Sequence, residues 1–250
     1  MKKILILQHE RYGLGNFINM TPTIKWLSEE TKQKVGVYFS TDYVSECFKD
    51  CPFIETLENN SAHYDYVSKL FNFDIEDYKY IFKTITNQDW SSQYHTYIDS
   101  ANEIGSYNKD YNLVLNGLGG FQLTDTPYWM GKKELDEKVF EVIRHYSKDP
   151  LIFTGSQKDL ERSPWVRKYC DEIYVGDIRK SLSLIRDAKK IISNDTGLSH
   201  ASSAMKKELL ILWKDTPFIK NLNPSQKTMY CQKNLWQECI INFLNKPILV

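Results

Sequence analysis

Short apolar runs alternate along the chain with longer stretches whose apolar positions recur every three to four residues. The short runs read as buried strands: Ile4–Leu7, Val35–Phe39, Tyr80–Phe82, Tyr111–Asn116, Leu151–Thr154, Glu172–Val175, Lys190–Ser193 and Leu209–Trp213. The longer period predicts helices over 14–29, from Asp42 to about Phe48, over 133–146, at Gln157–Cys170, at Ser181–Ala188, from Gly197 through Met205, and at Leu235–Leu244. Pro22 is expected to kink the first helix or restart it after Thr21, because proline lacks the N–H that the helix needs. Pro164 is expected to break the helix at 157–170 in the same way. Strands that alternate with helices predict parallel sheets with right-handed crossovers. Ligands bind such sheets beyond the carboxyl ends of the strands. The loops to read for chemistry are therefore 8–16, 116–120, 154–157, 176–181 and 193–200. Residues 83–110 carry no clear period, and the domain boundary is drawn at their end: 1–108 and 109–232, followed by a helical segment 233–250.

Composition narrows the classes. The chain has 250 residues, 42% hydrophobic and 26% charged, an ordinary globular balance that excludes disorder, collagen and coiled coil. Its strictly apolar runs, such as Ile4–Leu7, fall far below the ~18 residues a membrane span needs. Lys and Arg number 32, as do Asp and Glu, and a zero net charge argues against broad nucleic-acid binding through phosphate neutralisation. The charge is unevenly placed. Residues 1–150 hold 16 basic against 22 acidic side chains, and residues 151–250 hold 16 against 10, so the second half suits an anionic ligand. The first residues do not read as a signal peptide. Cys47, Cys51, Cys170, Cys231 and Cys239 form no C-x-x-C pair, and the odd count fits free thiols in a reducing compartment.

Two segments carry chemistry. Gln8-His-Glu-Arg-Tyr-Gly-Leu-Gly-Asn16 is a glycine-rich turn leading into a helix, where free N–H groups and the helix dipole meet an anion or a sugar. It lacks the third glycine of a dinucleotide fingerprint and the Gly-Lys-Ser/Thr of a P-loop. The second segment is Ser193-Asn-Asp-Thr-Gly-Leu-Ser-His200. Asp195 and Thr196 stand at the tip of a predicted strand, Gly197 allows close approach, and His200 lies about one turn into the next helix. A carboxylate, a hydroxyl, free N–H groups and an imidazole there suit a sugar and a diphosphate together. The same residues also read as a helix N-cap at Asp195 and a core histidine at 200.

Asn194-Asp-Thr-Gly-Leu-Ser-His200, with Ala201 and Ala204 after it, resembles the donor-site signature of glycosyltransferase family 9, the ADP-heptose:lipopolysaccharide heptosyltransferases. Gly13-Leu-Gly-Asn-Phe-Ile-Asn-Met-Thr-Pro-Thr-Ile-Lys-Trp-Leu27 is similar to that family's first loop and helix. Leu151–Gly155 and Gly176 with Ser181-Leu182 agree in order, while about 60–105 does not match.

The resemblance implies an α/β GT-B architecture, two Rossmann-like domains with parallel sheets facing a central cleft. The first domain takes the acceptor and the second a nucleotide-sugar, with 233–250 packing back on the first. It implies an inverting, metal-independent transfer with no cofactor, the nucleotide-sugar being a substrate. Asp195, Thr196, Gly197 and His200 are expected to hold the donor, with Asn116, Gly117, Gly155, Gly176 and Ser181 approaching its phosphate and base. Gly13 and Gly15 belong to the acceptor-side loop. Asn16 stands where the family commonly has its catalytic Asp, and an amide cannot take a proton. Either another group acts, with His9 and Glu10 on the same loop, or the chemistry differs, or the donor is bound without turnover. The acceptor is expected to be a glycan or lipopolysaccharide core, or alternatively a modified base in DNA. The expected location is the cytoplasm, peripheral to the inner membrane.

Overall fold

A computed structural model of the chain describes residues 4–7, 13–57, 66–69, 96–117, 134–213 and 228–247. Among the described residues it has two compact units, one up to Asp99 and one from Ser100, dividing within the 83–110 stretch. The first unit holds β1 (Ile4–Leu7), α1 (Leu14–Thr31), β2 (Val35–Tyr38), α2 (Asp42–Glu46), β3 (Ile54–Leu57) and β4 (Tyr66–Lys69). All its strand pairs are parallel, in the order β3-β2-β1-β4. Phe17 of α1 packs its ring 4.8 Å from both Phe39 and Phe48 at the centre of this unit.

Helix α1 runs as one segment through Pro22, so no second segment starts after Thr21. Proline at 22 leaves the carbonyl of Ile18, four residues back, without its helical donor. The Thr21 hydroxyl donates to that carbonyl at 2.7 Å and supplies the missing bond. The same oxygen accepts from the Tyr97 N–H at 2.7 Å, which ties a distant segment to the helix.

The second unit holds β5 (Asn112–Leu115), α3 (Glu137–Tyr146), β6 (Leu151–Gly155), α4 (Gln157–Arg162), α5 (Val166–Tyr169), β7 (Glu172–Val175), α6 (Ile178–Asp187), β8 (Lys190–Ser193), α7 (Gly197–Ala204), β9 (Leu209–Trp213), β10 (Thr228–Gln232) and α8 (Trp236–Asn245). Its strands are parallel in the order β10-β9-β8-β5-β6-β7. Residues of β5, β8 and β9 are all buried, as expected for parallel strands covered on both faces. Pro164 separates α4 from α5 as predicted. Helix α6 begins at Ile178, not Ser181, because the Asp177 side chain accepts from the Lys180 N–H and caps it there. The predicted strand at 80–82 lies outside the described residues. Strands β3, β4 and β10 were not predicted.

Helix α8 packs within the second unit. Its Trp236, Ile240 and Phe243 share a core with Phe140, Ile143 and Leu210. Buried Lys190 of β8 donates from Nζ to the carbonyls of Phe243, Leu244 and Lys246, at the end of the helix whose carbonyls have no helical partner. Cys231 and Cys239 join β10 to α8 in a disulfide, so the expectation of five free thiols fails for this pair. Cys47, Cys51 and Cys170 are free, and burial pushes the Cys51 and Cys170 thiols up to about 12.

Candidate functional site

Counted along the chain, the second sheet places its strands third, second, first, fourth, fifth and sixth. Chain direction across such a sheet reverses between the first and fourth strands, here β5 and β8, and a crevice opens beyond their carboxyl ends. The two strands pair up to Leu115 opposite Ser193. Beyond that point the side chain of Asn194 continues the contact. Its Oδ1 accepts from the Gly117 N–H at 3.2 Å, and its Nδ2 donates to the Gly117 carbonyl at 2.8 Å.

Helix α7 starts at this same point. Thr196, not Asp195, takes the N-cap position, so the cap reading of Asp195 does not hold. The Thr196 N–H donates to Ser199 Oγ at 3.3 Å, and that hydroxyl donates to the Thr196 carbonyl at 2.6 Å. Asp195 and His200 stand together, with Oδ1 to Nε2 at 3.8 Å and side chains about nine-tenths buried. His200 Nδ1 is buried and has no hydrogen-bond partner among the described residues. A buried, unbonded ring nitrogen beside a helix N-terminus is a costly arrangement unless a ligand completes it. Burial, with the charge of Asp195 added, pushes the Tyr230 phenol up to about 12.

Gly117 has no room for a side chain: a Cβ there would lie 2.8 Å from Thr196 Oγ1. It would also lie 3.6 Å from Asp159 Oδ2, and a Cβ on Gly155 would lie 3.2 Å from the same oxygen. The loops after β5, β6 and β8 thus converge on one spot. Asp159 was not picked out from sequence, although Ser156-Gln-Lys-Asp159 has the capping-box spacing. Its carboxylate takes the Ser156 N–H at 2.9 Å and the Ser156 hydroxyl at 2.6 Å. Gly176, at φ +91, donates its N–H to the Gly155 carbonyl and leaves open space above it.

Two of the predicted donor residues are engaged inside the fold. Asn116 is 1% exposed; its amide exchanges bonds with Leu135 N–H and carbonyl and reaches Ser163 Oγ. The Ser181 hydroxyl bonds Thr154 Oγ1 and the Asp177 carbonyl, linking β6 to α6. Gly197 opens α7 beside Thr196.

On the first unit, Gly13 precedes α1, whose first turn holds no acidic residue. Gly15 is buried in that turn and Asn16 is half-buried. A Cβ on Gly13 would make only ordinary contact with Tyr43 Oη at 3.7 Å. The Tyr43 phenol is raised by burial and by Cys47, and it forms a hydrogen bond with the Leu14 backbone. His9 and Glu10 lie outside the described residues.

No protein-family model and no curated protein matches this chain. Solved structures do. E. coli heptosyltransferase WaaC, solved with ADP, superposes with TM-score 0.70 at 12% identity over 97% of this chain and 98% of that one. E. coli ADP-heptose lipopolysaccharide heptosyltransferase II gives 0.70 at 13% identity, covering 97% of each chain. A family 9 glycosyl transferase from Veillonella parvula gives 0.68 at 12% identity, over 93% of this chain and 86% of that one. The chain therefore has the α/β GT-B fold of these enzymes, with two parallel sheets.

Proposed function

We propose that this chain is an inverting, metal-independent glycosyltransferase that moves a sugar from a nucleotide-activated donor to an acceptor hydroxyl on a glycan or lipopolysaccharide core. The observation that carries the reading is the start of α7 at the β5/β8 crevice, with Asp195 and His200 beside it and Gly117 held against Thr196. The first N–H groups of a helix point at an anion, and the dipole favours negative charge there. A nucleoside diphosphate fits that chemistry, and the similar E. coli heptosyltransferase WaaC was solved with ADP.

In the reaction, the acceptor oxygen attacks the anomeric carbon while the bond to the diphosphate breaks and the configuration inverts. The α7 N–H groups and His200 meet the charge that grows on the leaving diphosphate. Asp195 accepts hydrogen bonds from donor sugar hydroxyls. The acceptor proton goes to a general base, and His9 or Glu10 supplies one where Asn16 does not. A donor-binding module without turnover is the second reading, favoured by the amide at Asn16. A location in the cytoplasm against the inner membrane fits that acceptor, and no helix among the described residues is long and apolar enough to cross a membrane.

The test is incubation with ADP-, UDP-, GDP-, CDP- and dTDP-sugars while released nucleoside diphosphate is measured. One donor is expected to be hydrolysed slowly, with Asp195→Ala and His200→Ala each lowering the rate at least about tenfold. Binding without release, across an acceptor library, selects the module; no binding to any donor defeats both readings.

A further inference from the structure

Asn194 is wholly buried, two residues before Thr196, the N-cap of α7. Its backbone N–H ends the β5–β8 ladder by donating to the Leu115 carbonyl at 3.3 Å. Its side chain then bonds both backbone groups of Gly117, across a separation of 77 residues. Only an amide does both, since one end accepts and the other donates. Gly117 is held on a second side by Thr196, whose Oγ1 and Cβ would lie 2.8 and 3.4 Å from a Cβ added there. The loop after β5 and the N-terminus of α7 are therefore locked at one separation.

We propose that Asn194 is a positioning residue: acting through Gly117, it sets the width of the slot between the β5 loop and the start of α7, and so its fit to the diphosphate of a donor nucleotide. This rests on the nucleotide-sugar reading above. A side chain that drops both bonds releases the Gly117 backbone from Asn194 while the side chains Asp195, Thr196 and His200 are kept. Asn194→Asp keeps the acceptor for the Gly117 N–H but sets a carboxylate oxygen against the Gly117 carbonyl and brings negative charge toward the slot.

The test compares wild type, Asn194→Leu and Asn194→Asp by titration with ADP, UDP, GDP and CDP and with the matching phosphate-free nucleosides, and by amide hydrogen exchange. In Asn194→Leu the Gly117 N–H is expected to exchange at least about a hundredfold faster while Val114 and Ile192 stay protected. For the diphosphate that wild type binds, both variants are expected to lose at least about tenfold in affinity, with nucleoside affinity held within about twofold. If Asn194→Leu does not fold, Asn194→Asp decides the affinity arm, being the same size and keeping one bond. Unchanged Gly117 exchange, or diphosphate and nucleoside affinities falling together, overturns the proposal. A wild type that binds no diphosphate overturns the functional reading and the slot with it; a wild type that binds, with variants that bind equally well, overturns the slot alone.

Discussion

Both sheets follow one plan, with strands placed third, second, first and fourth, yet their crevice edges are built differently. At the β5/β8 edge an asparagine side chain clamps one loop to the other, and a helix starts there with Asp195 and His200 beside it. In the first unit α1 follows β1 with a neutral first turn, where Asn16 is the polar side chain and Tyr43 contacts the helix start. Topology supplies a crevice in each case. Among the described residues the two edges then differ in their side chains, Asp195 and His200 at one and Asn16 and Tyr43 at the other.

The contrast breaks most visibly in the scaffold beneath the charged edge. Lys190→Met removes the donor to three carbonyls at the end of α8, and about 3 kcal/mol of stability is expected to go with it. Urea unfolding checks this. The two glycine loops come next. Gly117→Ala forces a methyl against Thr196 and is expected to cost ~1–3 kcal/mol and weaken nucleotide binding. Gly13→Ala meets only an ordinary contact and is expected to stay within about 0.5 kcal/mol. Equal effects at 13 and 117 would erase the distinction between the edges.

A smaller effect is electrostatic. Burial works to raise the Asp187 carboxyl, but the Arg186 guanidinium at 2.7 Å, with the Tyr107 N–H and the charge of Lys207, holds the group below its usual value. Arg186 also donates to the carbonyls of Ser100, Ala101 and Ile104, fastening the start of the second unit to α6. Because the folded value lies below the unfolded value of about 3.9, the stabilisation is complete above that pH and drains away as pH falls through the folded value. The difference in urea midpoint between wild type and Asp187→Asn is expected to be largest near neutrality and to close in acid.

The sequence was most legible where one local rule decided the outcome. Continuous Val, Ile and Leu runs marked β5, β6, β8 and β9, because central parallel strands are apolar on both faces. β3 and β10 escaped notice because Ile-Glu-Thr-Leu and Thr-Met-Tyr-Cys-Gln each leave polar side chains exposed. The restart expected after Thr21 ignored the Thr21 hydroxyl itself, which replaces the lost donor. In the site, Asp195 and His200 were readable because they share one helix start. Asn194 and Asp159 were not, since each acts on the backbone or the space of another loop. The end of α8 is held by Lys190, 53 residues before Phe243, and no local pattern carries such a contact.

The central claim is that the β5/β8 edge, and not the start of α1, holds a nucleoside diphosphate. Calorimetric titration of ADP, UDP, GDP and CDP into wild type, His200→Ala and Asn16→Ala tests it most directly. The account predicts that wild type binds at least one of them, that His200→Ala loses about tenfold or more in affinity, and that Asn16→Ala binds as wild type does. Binding that survives His200→Ala but falls with Asn16→Ala would contradict it.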